Sequence, residues 1–313
     1  MIDKQHLLAI GNNRLRRLAT LASISTAAVL ILAKLAAYWM TDSVSLLTSL
    51  FDSAFDLVAS LVTAYGVARA LRPPDHEHRY GHGKAEPLAA LAQAIFIIGS
   101  AVLLVYESSL RLVNPHPVSH DLIGYAVMAL AIVMTIVLVS FQNHVVSKTG
   151  STAIGADRLH YVGDVAINLA VIVAIALQHW TGMTWYDPAF AVAIALGLLF
   201  PAFHILKQAM IALMDAELPQ AERERILAIV LRQPGVHGVH DMRTRSDSDR
   251  TFIELHVEMD GDITLRQAHD LAEDICTALT DEIPNADILV HQDPVGVHEF
   301  SLDKQIEEEW DDK

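Results

Sequence analysis

The sequence predicts an α-helical membrane protein with six transmembrane helices, followed by a smaller soluble α+β domain. Of its 313 residues, 52% are apolar and the mean hydropathy is +0.34, which exceeds what an ordinary soluble protein carries. Six apolar segments approach or exceed the roughly 20 residues that a bilayer core requires. Charge is also uneven, since residues 1–213 carry a net +1 and residues 214–313 a net −16. The acidity therefore belongs to a separate C-terminal part and argues against nucleic acid as a partner.

The predicted spans follow a polar N-terminal segment, residues 1–17, and together form a transmembrane domain over residues 18–213. Their bounds are 18–40, 44–70, 88–113, 121–146, 152–180 and 187–213. An even number of spans places both termini on one side of the membrane. The basic residues of that side are Arg14, Arg16, Arg17, Arg69, Arg72, Arg79, Lys84 and Lys148. The opposite side has little beyond Arg111, so the positive-inside rule predicts that both termini are cytoplasmic.

Two pairs of ionisable residues interrupt otherwise apolar spans. Asp52 and Asp56 lie in span two, and His160 and Asp164 lie in span five. Each pair is spaced i and i+4, which places both side chains on one helical face. An ionised Asp at the centre of a membrane helix costs roughly 2.5–3.5 kcal/mol on insertion scales, so these groups need partners. If the helices face each other, the four side chains form a ligand set for a divalent metal such as Zn²⁺. The alternative is hydrogen bonding between helices without metal.

Two further charged residues accompany these pairs. Lys34 lies near the outer end of span one, where its side chain can snorkel to the interface. Asp157 lies one turn before His160 and is interpreted as a charge near the cytoplasmic entrance, with a role in orienting the ligands as the alternative.

The loop after span two, LRPPDHEHRYGHGKAEP, is dense in groups that bind metals. Pro73 and Pro74 end the preceding helix. Asp75, His78 and His82 are the preferred ligand set, and His76 is a spare candidate. A solvated polar loop without metal is the alternative.

After span six, the pattern predicts a domain of order α-β-β-α-β over residues 214–295, and an acidic, disordered tail over 296–313. The chain has a single cysteine, Cys276, and this excludes an intrachain disulfide and a thiolate zinc cluster. Its apolar helical surroundings indicate a core residue rather than a reactive thiol. Metal-capable residues at strand ends and on one helix form a second candidate site. They are His240, His256, His269, His291 and Asp293.

Five sequence motifs resemble those of the cation diffusion facilitators, and in particular those of the bacterial zinc and ferrous-iron exporters in that family. The matching strings are SVSLLTSLFDSAFD, HRYGHGKAEPLAALAQ, ADRLHYVGD, VHDMRTR and HQDP, and the resemblance runs from about Leu18 to Pro294. It implies a homodimer in the bacterial inner membrane whose soluble domain is metallochaperone-like and lies in the cytoplasm. It also implies a transporter, not an enzyme.

By position, the resemblance implies three metal sites. Asp52, Asp56, His160 and Asp164 match the transport site, and Asp75, His78 and His82 match the loop site. His240, His256, His269, His291 and Asp293 match a cytoplasmic binuclear site, with Asp293 in the bridging position and the Gln292 carbonyl as a further contact. Lys84 and Asp215 match a charge pair at the hinge between membrane and cytoplasm. His76 and Glu77 are extra potential ligands, which leaves the loop set open.

The expected function is therefore export of a divalent cation in exchange for protons by alternating access. Zn²⁺ is expected as both transported and structural or regulatory ion, with Cd²⁺ and Fe²⁺ tolerated and no organic cofactor. The rival is a membrane-anchored metal sensor, which does not need four ionisable groups deep in two spans. An intramembrane metallohydrolase is a weaker third, because the chain has no HExxH motif and all four ligands would be occupied.

Overall fold

The protein forms two compact units, residues 1–210 and 211–313. The computed structural model describes residues 4–41, 44–113, 122–183, 185–247, 250–296, 301–303 and 305–306. The predicted tail therefore lies partly outside the described residues, as does the first residue of predicted span four.

The first unit is built from six long helices, each of which is long and apolar enough to cross a membrane. This confirms the predicted six-helix membrane domain. The helices are α1 (Lys4–Thr41), α2 (Val44–Ala70), α3 (Ala85–Val113), α4 (Leu122–Thr149), α5 (Thr152–Thr181) and α6 (Tyr186–Leu213). The helix α1 begins before the apolar run that defines the first span, because its polar N-terminal turns continue the same helix.

Small residues hold these helices together at the ends that adjoin the loop after α2. A Cβ built on Gly66 of α2 would lie 2.4 Å from the Cβ of Ala89 on α3, so only glycine fits there. Nearby, Ala90, Ala156 and Ala209 bring α3, α5 and α6 into contact. Close backbone approach at small residues is the usual means of helix association in lipid, where apolar side chains gain little by leaving the solvent. This region carries a buried pair, Arg16 and Glu86, whose charged atoms lie 3.5 Å apart.

The second unit has the predicted α-β-β-α-β order. It comprises α7 (Gln220–Val230), β1 (Gly238–Ser246), β2 (Thr251–Met259), α8 (Leu265–Glu282) and β3 (Ala286–Pro294). The sheet order is β1-β2-β3, with β1 antiparallel and β3 parallel to β2. A capping box between Thr264 and Gln267 begins α8, which covers one sheet face together with α7.

Alternation along β2 decides which sheet face is buried. Ile253, Leu255 and Val257 point into the core and are almost fully buried. Glu254 and His256, on the opposite face, are half-buried. The histidine face is thus the face that the two helices leave uncovered.

Strand β1 is interrupted after His240, where its register with β2 shifts before Arg243. Asp241 adopts a positive φ of 50° at this bulge and is 5% exposed. The Ser301 hydroxyl and the Asp303 N–H donate to the Asp241 carboxylate, and the Asp241 N–H donates back to Asp303. The described part of the C-terminal segment is thereby attached to β1.

Candidate metal centres

Three side chains meet between α2 and α5 and form the intramembrane cluster, Asp56, His160 and Asp164. One ligand atom from each lies within 4.8 Å of the other two. His160 Nε2 lies 2.9 Å from Asp56 Oδ1 and 3.8 Å from Asp164 Oδ2. The His160 ring makes edge contacts with Phe96 and Tyr161, which fix its plane. Two carboxylates and one imidazole thus point at one place, on two helices that are apolar enough to cross a membrane.

Asp52 is the fourth ligand that the sequence analysis predicts, and its role stays a prediction. Its ligand atoms are not part of the 4.8 Å set in the described chain, and its side chain is exposed. It lies one turn before Asp56 on α2 and interacts electrostatically with Asp56 and with Lys34 of α1.

Asp157 lies one turn before His160 and differs from the expected charge near the entrance, because it is 1% exposed. Both of its carboxylate oxygens accept hydrogen bonds from uncharged groups. The donors are Ser23 Oγ at 2.7 Å, Gln142 Nε2 at 2.7 Å, Gln93 Nε2 at 3.0 Å and Ser60 Oγ at 3.3 Å. These donors come from α1, α4, α3 and α2, so one carboxylate joins α5 to four other helices.

The loop between α2 and α3 brings Asp75, His78 and His82 together, and these three residues are called the loop cluster. Asp75 Oδ1 lies 3.2 Å from His78 Nδ1, and its Oδ2 lies 3.2 Å from His82 Nε2. The backbone N–H groups of His78 and Glu77 also donate to Asp75 and lower the pKa of its carboxyl below the usual value. Asp75 is therefore charged and ready to bind a cation at neutral pH.

Strand pairing builds the sheet cluster, His240, His256 and Asp293, on the uncovered face of the C-terminal sheet. His240 of β1, His256 of β2 and His291 of β3 are paired in one row across the sheet. Asp293 Oδ2 lies 2.8 Å from His256 Nδ1 and 3.4 Å from His240 Nε2. Its other oxygen, Oδ1, lies 3.1 Å from His291 Nε2. Asp293 therefore uses its two oxygens on different histidines, as a bridging ligand does.

The remaining predicted residues are not brought into these clusters. His269 lies on α8 with an exposed side chain, outside the sheet cluster as the described residues form it. Asp215 lies 3.5 Å from Arg245 within the second unit. Lys84 belongs to the first unit. The pairing of Lys84 with Asp215, the ligand role of His269 and the contact from Gln292 all stay predictions.

The donor sets of the loop and sheet clusters fit a divalent metal of borderline softness. Imidazole nitrogen and carboxylate oxygen are ordinary Zn²⁺ ligands. His82 Nε2, which faces Asp75 Oδ2 at 3.2 Å, is buried and makes no hydrogen bond within the described part of the chain. A buried nitrogen that makes no hydrogen bond is costly unless something binds it, and a metal ion would do so.

Sequence reasoning missed the hydrogen bonds of Asp157 and those of Lys34, whose ammonium donates to α2 rather than snorkelling to an interface. The available signal was the polar content of the apolar helices, since Gln93 and Gln142 are costly in lipid unless they are paired. Their spacing does not reveal that both meet Asp157, because they come from different helices.

Two family models match the chain. The cation efflux transmembrane domain matches residues 20–214, and the cytoplasmic domain of cation efflux proteins matches residues 218–295. The first alone covers more than half of the chain.

Curated relatives match over nearly the whole length. The cation-efflux pump FieF of Cronobacter sakazakii (strain ATCC BAA-894) is 44% identical over 284 residues, 91% of this chain and 94% of its own length. That of Yersinia pestis (strain Pestoides F) is 45% identical over 279 residues, covering 89% and 93%. A solved structure of CzrB, a candidate zinc transporter, is 34% identical and covers 25% of this chain and 99% of its own, with a TM-score of 0.24. The chain belongs to the cation efflux family, also called the cation diffusion facilitators, and resembles its FieF-type pumps.

Proposed function

We propose that the protein exports Zn²⁺ from the cytoplasm in exchange for protons, with Cd²⁺ and Fe²⁺ as further substrates. The observation that carries this proposal is the intramembrane cluster, in which Asp56, His160 and Asp164 meet between two membrane-spanning helices. Carboxylate and imidazole ligands suit Zn²⁺ and tolerate the other two cations. The rival membrane-anchored sensor has no use for such a cluster at this depth.

Proton exchange follows from the chemistry of these ligands. Metal binds deprotonated carboxylates and neutral imidazole, so binding releases protons and protonation releases metal. An empty cluster left fully ionised would place uncompensated charge in lipid, so the empty site returns carrying protons. Alternating access would move the helices around this fixed site, exposing it to one side of the membrane at a time.

The loop and sheet clusters are proposed to hold resident Zn²⁺ rather than cargo. Asp75, His78 and His82 would hold one ion. The cytoplasmic site, with Asp293 as the bridging ligand, would hold two ions on His240, His256 and His291. A bound Zn²⁺ would supply positive charge that offsets the acidic cytoplasmic domain and would cross-link its strands. The homodimer is proposed from the family to which the cytoplasmic domain belongs.

The decisive experiment follows Zn²⁺ and pH together in vesicles that contain the purified protein. We expect Zn²⁺ movement in one direction to drive proton movement in the other. Zinc flux that leaves the internal pH unchanged would refute the antiport mechanism. As the matched control, Asp56→Ala should remove the flux, whereas normal flux in that variant would refute the proposed site.

The proposed orientation, with both termini in the cytoplasm of a bacterial cell, can be tested with the single cysteine. Cys276 lies on α8 and is half-buried. A maleimide that cannot cross membranes should label it only after the inner membrane is permeabilised. Burial and the nearby Glu273 raise the pKa of this thiol, so labelling needs mildly alkaline buffer. A Cys276→Ser, Thr181→Cys variant should label without permeabilisation, because Thr181 ends α5 on the opposite side.

A further inference from the structure

Lys34 lies in the apolar part of α1, yet its side chain turns towards the neighbouring helix. Its Nζ donates to Ser53 Oγ at 2.6 Å and to the Ser49 carbonyl oxygen at 3.0 Å, both on α2. Ser49 precedes Asp52 by three residues and Ser53 follows it by one. The ammonium is therefore held at the turn of α2 that carries Asp52.

The same ammonium interacts electrostatically with three carboxylates of the predicted transport site, Asp56, Asp52 and Asp164. None of the steps derived for metal–proton exchange uses a lysine, and Lys has no lone pair for a metal while it is charged. A charged ammonium within a membrane helix is costly even when it is half-buried, so the two hydrogen bonds and the three opposite charges indicate a specific role there.

Charge neutrality at this depth indicates what that role is. Three ionised carboxylates and one divalent cation leave a net charge of −1, and a lysine ammonium brings the total to zero. A neutral occupied site is easier to hold in lipid than a charged one. The positive charge also repels the incoming cation, and this weakens binding.

We propose that the Lys34 ammonium is the fixed counter-charge of the transport site and limits how tightly the site holds a divalent cation. The residue acts through the carboxylates and does not contact the metal. Weaker binding favours release, and an exporter must release its cargo against a gradient. This inference rests on the proposed function and assigns to it a residue that sets affinity.

The test separates the charge of Lys34 from its hydrogen bonds. Lys34→Gln keeps a donor for Ser53 and Ser49 without charge, Lys34→Met removes both, and Lys34→Arg keeps both. Zn²⁺ binding is titrated on the full-length protein in detergent. The background carries Asp75→Ala and Asp293→Ala, which remove the central acceptors of the loop and sheet clusters.

We expect the Gln and Met variants to bind Zn²⁺ about tenfold more tightly or better, because a nearby positive charge is gone. The Arg variant should stay within about threefold of the parent. Flux in vesicles should fall in the Gln and Met variants, with release as the slow step. A Gln variant with parental or weaker affinity would overturn the proposal, since a purely structural lysine would give weaker binding when lost.

Two controls keep the result interpretable. Ser53→Ala removes one acceptor but keeps the charge, so its affinity should stay within about threefold of the parent. Asp56→Ala in the same background should abolish the remaining Zn²⁺ binding. Binding that survives Asp56→Ala would refute the proposed transport site itself, whereas an unchanged Lys34→Gln affinity refutes only the role of the lysine.

Discussion

Two carboxylates on α5, Asp157 and Asp164, lie two helical turns apart and have opposite surroundings. Asp157 is 1% exposed and its oxygens accept from four uncharged donors on four other helices. Asp164 is half-buried and lies 3.8 Å from His160, which in turn lies 2.9 Å from Asp56. The Asp157 carboxylate accepts hydrogen bonds at both oxygens, whereas the Asp164 carboxylate belongs to a group of potential metal ligands.

The difference shows that one helix carries a carboxylate that stabilises the helix packing and another that is a potential metal ligand. A carboxylate whose lone pairs are taken by neutral donors has nothing left for a cation, and in the described chain no ion pair includes Asp157. Its donors tie five helices together where small residues pack most closely. In the intramembrane cluster the hydrogen bond joins two potential ligands, His160 Nε2 and Asp56 Oδ1, so both can exchange that partner for a cation. The first arrangement provides rigidity, and the second provides a site that can bind and release.

The largest effect is expected from Asp164→Asn, which keeps the size of the side chain and removes its charge. Losing a residue that merely orients a ligand costs roughly 10–100-fold in metal affinity or activity, so losing a ligand should reduce Zn²⁺ flux at least about 100-fold. Flux in vesicles measures this. Thermal stability in detergent without metal should match the parent, and a large drop in stability would assign Asp164 to the structural group instead.

Asp157→Ala should instead lower the thermal stability of the protein. It removes the acceptor shared by two amides and two hydroxyls, and it leaves Gln142 with only the Ser23 hydroxyl for its two amide N–H bonds. The loss should cost about 2 kcal/mol of stability or more. Thermal unfolding in detergent would report the loss, with Asp164→Ala as the matched control. If Asp157→Ala unfolds like the parent but loses zinc-dependent stabilisation, the contrast between the two carboxylates fails.

The sheet cluster allows a smaller, sharper comparison within the cytoplasmic domain. His256→Ala removes a nitrogen that lies 2.8 Å from Asp293 and should weaken Zn²⁺ binding at that site roughly tenfold or more. His269→Ala on α8 should leave that site within about threefold of the parent, because the described structure keeps His269 out of the cluster. Titration of the full chain with Asp56→Ala and Asp75→Ala isolates this site. Equal losses in the two variants would show that His269 is a ligand after all.

The smallest effect concerns the segment attached at the β1 bulge. Asp303→Ala removes the acceptor of the Asp241 N–H and should cost about 1 kcal/mol, seen as faster proteolysis beyond Pro294. Ser301→Ala is the comparison variant, because it removes a single hydrogen bond to the Asp241 carboxylate. Cleavage at parental rates in both variants would mean that these bonds do not hold the segment.

The same segment should respond to acid in a defined direction. Burial raises the pKa of Asp241, but hydrogen bonds from the Asp303 N–H and the Ser301 hydroxyl outweigh it and lower the pKa below its usual value. A lowered pKa in the folded state means that the contribution is present at neutral pH and is lost as the pH falls through that value. Proteolysis at a series of pH values, with Asp241→Asn as the control without this titration, would follow the loss.

Local sequence patterns are enough to predict the fold class and the residues at the centre of each cluster. Apolar length predicts six spans, and the period of β2 predicts which of its faces carries His256, because both patterns are local. The polar pairs in spans two and five are visible because their cost in lipid demands partners. The density of Asp75, His78 and His82 is equally local.

Which of these polar groups contact one another depends on how the helices and strands pack. The sequence places Asp157 as a charge near the cytoplasmic entrance, but its hydrogen-bond donors come from four separate helices and occupy both of its carboxylate oxygens. Lys34 looks able to snorkel, yet the packing of α1 on α2 brings its ammonium to Ser53 and Ser49. His240, His256 and His291 form one row because of strand register. Contacts between distant segments depend on packing that no local pattern encodes. The sequence therefore identifies the polar side chains, and the packing determines which residues they contact.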